Sequence, residues 1–130
     1  MIAKNNIFNI RYAAQTKWMG QTGENKGFVV FDTQEHAIRA WLVLMRTYRK
    51  KYGLTTIRGI INRFAPPSEN NTENYVRYCC IVTLKGSMEP ITNKATYYVL
   101  GQAMARMETG TGLSYDAIAS VANKYNIKII

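Results

Sequence analysis

The sequence predicts a mainly α, α+β fold in a single domain, and three observations carry that expectation. Apolar residues recur at three- and four-residue steps through most of the segment from 33 to 125. A residue able to cap a helix precedes each of those stretches. Only the first 32 residues, rich in Asn, Gly and Thr, lack a long helical period. The length of 130 residues fits one domain, residues 1–130, with no internal repeat or linker.

Taken in order, the first element is a strand at Phe28-Val29-Val30-Phe31 behind a turn-like Gly23-Glu24-Asn25-Lys26-Gly27, read together as a small β-hairpin. Thr33 caps the first helix, with Glu35 in its first turn. Ile38, Trp41, Leu42, Met45, Tyr48 and Tyr52 form its apolar stripe, and Gly53 ends it. A short helix from Thr56 to about Arg63 stops at Ala65-Pro66-Pro67. Asn71 or Thr72 opens a third, with Tyr75, Val76, Cys79 and Thr83 along one side, and Gly86 and Pro90 punctuate the gap that follows. A fourth runs from Asn93 to about Glu108 and halts at Gly110. A fifth starts at Ser114 and buries Ile118, Val121, Ala122 and Tyr125.

Hydrophobic residues make up 47% of the chain and charged residues 19%, a globular balance that excludes a disordered or fibrous chain. Cys79 and Cys80 are neighbours, and a bond between them would close almost no loop, so both are expected as free thiols. With one histidine, His36, the sequence offers neither zinc-ligand spacing nor a well-supplied Ser-His triad, and no metal or cofactor is expected. The N-terminus has no apolar signal-peptide core, and no apolar run approaches the roughly 20 residues of a membrane span. Cytoplasmic synthesis without a signal peptide is therefore expected. Seventeen Lys and Arg against eight Asp and Glu give a net charge of +9. Such a surface is drawn to polyanions: nucleic acid, anionic lipid or bacterial cell wall. Arg46, Arg49, Lys50 and Lys51 fit nucleic acid, and equally fit a solvated helix end, where cations are favoured.

Among the eight acids, Asp32, Glu35, Glu73 and Asp116 stand at helix starts, where the macrodipole favours them. Glu108 stands at the wrong end. It shares a helical stripe with Tyr97, Gly101, Met104 and Ala105, so its carboxyl is expected to be partly desolvated as well as facing the negative end of its helix. Both effects raise a carboxyl pKa and suit a proton donor in glycoside cleavage; a solvated glutamate at a frayed helix end is the plainer alternative. Glu24, on a glycine-flanked turn, and Glu69, in the Pro-Asn-Ser loop, are candidates for a second carboxylate. Glu69 equally suits a brace for Arg63 or Arg77. Trp18 and Tyr97 offer flat faces to a sugar ring, or belong to the core. Asn9 and Thr109 are the remaining candidate substrate contacts, Asn9 and Asn6 also being natural fixers of loop backbone.

The segments Asn5-Asn6-Ile7-Phe8-Asn9-Ile10-Arg11, Trp18-Met19-Gly20, Phe28 to Phe31, Ala37-Ile38-Arg39-Ala40, Thr56 to Pro66, Glu69 to Thr72, and Tyr75 occur in an order that resembles the phage virion-associated, lysozyme-like muralytic proteins. The likeness spans roughly residues 5–78, with Ile7 replacing a proline and Ala37 a glycine. Ala103 to Gly110, a helix ending in Glu before a small residue and Gly, is similar more distantly to lytic transglycosylases and endo-β-N-acetylglucosaminidases. In the glucosaminidases the counterparts of Asn6 to Arg11 and Trp18 to Gly20 follow that helix, so the order here is reversed, as in a circular permutation. The resemblance implies a lysozyme-like domain that cleaves peptidoglycan glycan strands between N-acetylmuramic acid and N-acetylglucosamine. It implies Glu108 as acid and base, a monomer, and action at the bacterial wall, with delivery by a virion or a dedicated secretion system. A non-catalytic virion or wall-binding protein and a basic nucleic-acid-binding module are the alternative expectations.

Overall fold

Local side chains start every helix. The computed structural model describes residues 2–68 and 71–130, and within them the chain forms two strands and five helices. Helix α1 spans Gln34–Tyr52, α2 Ile57–Phe64, α3 Thr72–Thr83, α4 Lys94–Thr109 and α5 Tyr115–Lys124. Thr33, Thr56, Asn71, Asn93 and Ser114 each accept a hydrogen bond from the backbone N–H three residues on, satisfying an otherwise orphaned donor. Gly53 and Gly110 end α1 and α4 with φ of 65° and 70°. Leu84 ends α3 in the same left-handed conformation at φ 57°.

The hairpin pairs β1 (Gln21–Asn25) antiparallel with β2 (Phe28–Phe31). Gly23, Glu24 and Asn25, expected in the turn, are strand residues. The turn is Lys26-Gly27 alone, both at positive φ, the tight two-residue connection whose twist matches the strands. The other edge of β2 is covered by the N-terminal segment: Val29 N–H donates to Ile10 and Phe31 N–H to Lys4. Asn6 fixes this segment. Fully buried, it donates to the carbonyls of Ile10 and Val29 and accepts from Ile10 N–H.

The helices pack in a chain of neighbours, α2 on α3, α3 on α4, α4 on α5 and α5 on α1. At the centre Trp41 of α1 stacks on Phe8 at 5.2 Å. A methyl group at Gly101 of α4 would stand 3.0 Å from Trp41 and 2.9 Å from Ile118, so α4 owes its close approach to the missing side chain. With α3 and α5 on its flanks, α4 is buried along most of its length, and that sets the surroundings of its last turn. The expected stripes of α1 and α5 are buried except at their ends. Tyr52 is 42% exposed because the last turn of α1 runs past the core, and Tyr125 turns its hydroxyl toward Glu35. Both cysteines are free; burial pushes the Cys79 thiol up to about 12, so it is protonated and inert. Among the described residues no helix is long and apolar enough to cross a membrane.

Candidate functional site

Glu108 occupies the last turn of α4, and Tyr97, Gly101, Met104 and Ala105 on its stripe are all buried. Its carboxyl is half-buried and lines a cleft of about 100 Å³ with Asn9, Arg11, Phe28, Phe64 and Ala65. Asn9, held at φ 52°, reaches across from the N-terminal loop. Its amide donates to the Glu108 carbonyl at 2.9 Å and to Oε1 of the carboxyl at 3.3 Å. Burial raises the Glu108 pKa above its ordinary value. The Tyr75 hydroxyl, the Asn9 amide and the more distant charge of Arg11 hold it back only in part. No lysine or arginine among the described residues forms a salt bridge with it.

Tyr75 is the group that sequence reasoning missed. The periodicity of α3 marks it as core, and it is 5% exposed. Its hydroxyl is nevertheless sealed in without a well-aligned hydrogen bond. It lies beside the Glu108 carboxyl. Burial first, and then the charge of that carboxyl, push the phenol well above its usual range. A buried hydroxyl without a well-aligned hydrogen bond is costly, and that sets Tyr75 apart from an ordinary core residue. A tyrosine on one helix and an acid 33 residues later on another give no local pattern in the sequence, so only the fold pairs them.

Arg11, Asn9 and Phe64 also line a second cleft of about 220 Å³, shared with Ile10, Ala13, Thr16, Trp18, Leu44, Tyr48 and Arg63. The two clefts share these three lining residues and so lie side by side, the second reaching the half-buried Trp18. The structure thus brings Glu108, Asn9 and Trp18 together, and it separates the other candidates from them. Tyr97 is fully buried, with its hydroxyl accepting from Arg49, so it is a core residue with no face for a sugar. Thr109 braces the fold: its hydroxyl donates to the Ile7 carbonyl at 2.8 Å and lies 2.6 Å from that of Thr111. Glu24 is exposed on β1, accepts from Gly27 N–H, and lines a depression that shares no residue with the cleft at Glu108. Glu69 lies outside the described residues.

Glu73 and Glu89 are ordinary ion-pair partners. Glu73 is bidentate with Arg58 at 2.8 and 3.0 Å. Glu89 pairs with Lys85 and accepts from Gly86 N–H. Within the basic run at the end of α1, Arg49 is committed to the Ile91 carbonyl at 2.8 Å, a structural tie. Among the described residues no cluster of His, Cys, Asp and Glu could hold a metal ion.

No protein-family model matches the chain. A relative does: Protein P5 of Pseudoalteromonas phage PM2 is 37% identical over 122 residues, which cover 90% of this chain and 76% of that one. Similarity at that level over that span shows kinship, and the chain belongs to the family of the PM2 Protein P5.

Proposed function

We propose that the protein degrades peptidoglycan by cutting its glycan strand, with Glu108 as general acid and base. One observation carries the reading: a carboxyl at a helix C-terminus, half-buried in a cleft, with its pKa raised by burial and with a second cleft adjoining it through Asn9, Arg11 and Phe64. A carboxylic acid that keeps its proton can pass it to the glycosidic oxygen as that bond breaks. The Asn9 amide fixes the orientation of the carboxyl, and the Tyr75 hydroxyl stands ready to share a hydrogen bond with the carboxylate left behind. That carboxylate then takes a proton from the incoming nucleophile.

The described part of the cleft supplies one carboxylate, and one suffices for a lytic transglycosylase. There, a hydroxyl of the same sugar closes on the anomeric carbon and returns its proton to Glu108. A hydrolase of the usual kinds needs a second carboxylate roughly 5–9.5 Å away. The net charge of +9 would hold the protein on an anionic wall, and the phage origin of its relative agrees with a virion or lysis setting.

The test is digestion of purified peptidoglycan followed by mass spectrometry of the muropeptides. Anhydro-muramyl ends identify the transglycosylase and reducing ends the hydrolase. No soluble product, together with sedimentation on sacculi, would leave a non-catalytic wall-binding or virion structural protein.

A further inference from the structure

Among the described residues, Arg63 is the one cation besides Arg11 that lines the larger cleft, and its surroundings are unusual. It is exposed near the end of α2, with its guanidinium 3.7 Å from the centroid of the Tyr52 ring and 5.6 Å from that of Tyr48. Cation–π contact with two aromatic rings restrains a flexible side chain without engaging its N–H donors in an ion pair. Among the described residues no carboxylate forms a salt bridge with it. Arg58, on the same helix and also at the surface, is by contrast fully engaged by Glu73. The cleft beside Arg63 is walled by Trp18, Leu44, Tyr48 and Phe64, with about 220 Å³ of space, on the scale of one sugar ring. An aromatic and apolar trough with a pre-positioned guanidinium at its rim matches a sugar that carries a carboxylate, since a ring can lie on the aromatic faces while the fork takes the anion in two parallel hydrogen bonds.

We infer that this larger cleft is a subsite for a carboxylate-bearing sugar of the strand, read by Arg63, so that the protein distinguishes muramic-acid glycans from neutral ones such as chitin. This rests on the glycan-cleaving reading of Glu108 for its setting, though its own evidence is the cation, the rings and the trough. Arg63 is a specificity residue here and touches no reacting atom.

The experiment measures binding so that it does not depend on turnover. Full-length Glu108→Gln protein is titrated with peptide-free glycan strands that retain their lactyl carboxylates. The same strands with those carboxylates converted to methylamides, and a chitin hexasaccharide, serve as neutral comparisons. The free-acid strands are expected to bind about 5- to 10-fold more tightly than the amidated ones, the range of a single well-placed charge-assisted pair. Adding Arg63→Ala should erase that difference and leave binding of the neutral glycans unchanged. Arg63→Lys should keep part of it, since the charge remains but the fork is lost. Arg63→Gln serves as the second neutral variant should loss of the stacked side chain lower the Tm. Equal binding of the three glycans by the parent, no glycan binding at all, or a preference that survives Arg63→Ala would overturn the subsite. Cleavage by the chain that retains Glu108 is scored separately. Turnover without discrimination keeps the glycosidase and removes the subsite, whereas discrimination without turnover does the reverse.

Discussion

Two glutamates at opposite ends of their own helices carry the same functional group to opposite fates. Glu35 lies in the first turn of α1, where the helix dipole welcomes a negative charge. It accepts from Lys124 at 2.8 Å and from the Tyr125 hydroxyl at 2.6 Å, and those bonds hold its pKa below the ordinary value. Nearby, His36 contacts Asp32 at 2.6 Å, and Asp32 is lowered in the same way. Glu108 lies in the last turn of α4 with no salt bridge among the described residues, and burial raises it. The difference shows that being a glutamate on a helix decides nothing. A paired, solvated carboxyl is held firmly as an anion; one desolvated without a salt bridge gives up its proton less readily.

The largest effect expected from this contrast is on activity. Glu108→Gln should lower peptidoglycan cleavage by about 10²- to 10⁴-fold, the usual share of a general acid, measured by zymogram and turbidity loss. Clearing that persists at the parental rate would remove Glu108 from the role. The same variant should melt higher at neutral pH. A folded-state carboxyl with a raised pKa contributes its stability at low pH and loses it as pH rises through the folded value. The gain should therefore vanish in acid, and a uniform gain at every pH would contradict the pKa direction.

Next comes the paired region. A methyl group at Gly20, which sits at φ 80°, would stand 2.3 Å from Nδ1 of His36 and 2.6 Å from Asp32. Gly20→Ala should cost about 1–3 kcal/mol in denaturant unfolding, from backbone strain and from opening the Asp32–His36 contact. Cleavage per folded molecule should be preserved. A matching fall in specific activity would show that the two regions are coupled.

A smaller change follows from Asn9→Ala. It removes donors to the Glu108 carbonyl and carboxyl, at about 1 kcal/mol of stability. Because that amide helps lower the Glu108 pKa, its loss should move the limb of the pH–rate profile that reports Glu108 upward. An unmoved limb would argue that Glu108 does not govern the profile.

The smallest effect belongs to Glu35→Gln. A depressed folded pKa contributes stability above the ordinary carboxylate range and loses it as pH falls through the folded value. The variant should melt slightly lower at neutral pH, converge with the parent in acid, and cleave normally. Thermal melts between neutral pH and about pH 3 check this.

Most of the fold was legible in the sequence because its signals are local. Thr33, Thr56, Asn71, Asn93 and Ser114 announce helix starts through a bond that spans three residues. Gly53 and Gly110 announce ends through a backbone conformation. Leu84 carries no such signal, so the end of α3 was left open, and β1 was hidden because Gln21–Asn25 has no apolar alternation. The cleft was legible in part. A helical stripe and a following Gly mark Glu108, and Asn9 and Trp18 stand among the sequence's candidate contacts, but Tyr75 reads as core until the fold sets it beside Glu108. Tyr97 failed as a sugar platform because α4 is flanked by α3 and α5, so its ring meets protein.

The bond from Asn9 to Glu108 joins positions 99 apart, and Thr109 reaches the Ile7 carbonyl across 102. Contacts at such separation form only after nearly the whole polypeptide is available and its long loops have closed. A ribosome that has released the early hairpin but not yet the fourth helix therefore holds a molecule with half a cleft and no acid in it. The wall-cutting capacity proposed for this chain would be complete only once its fourth helix has joined the N-terminal loop.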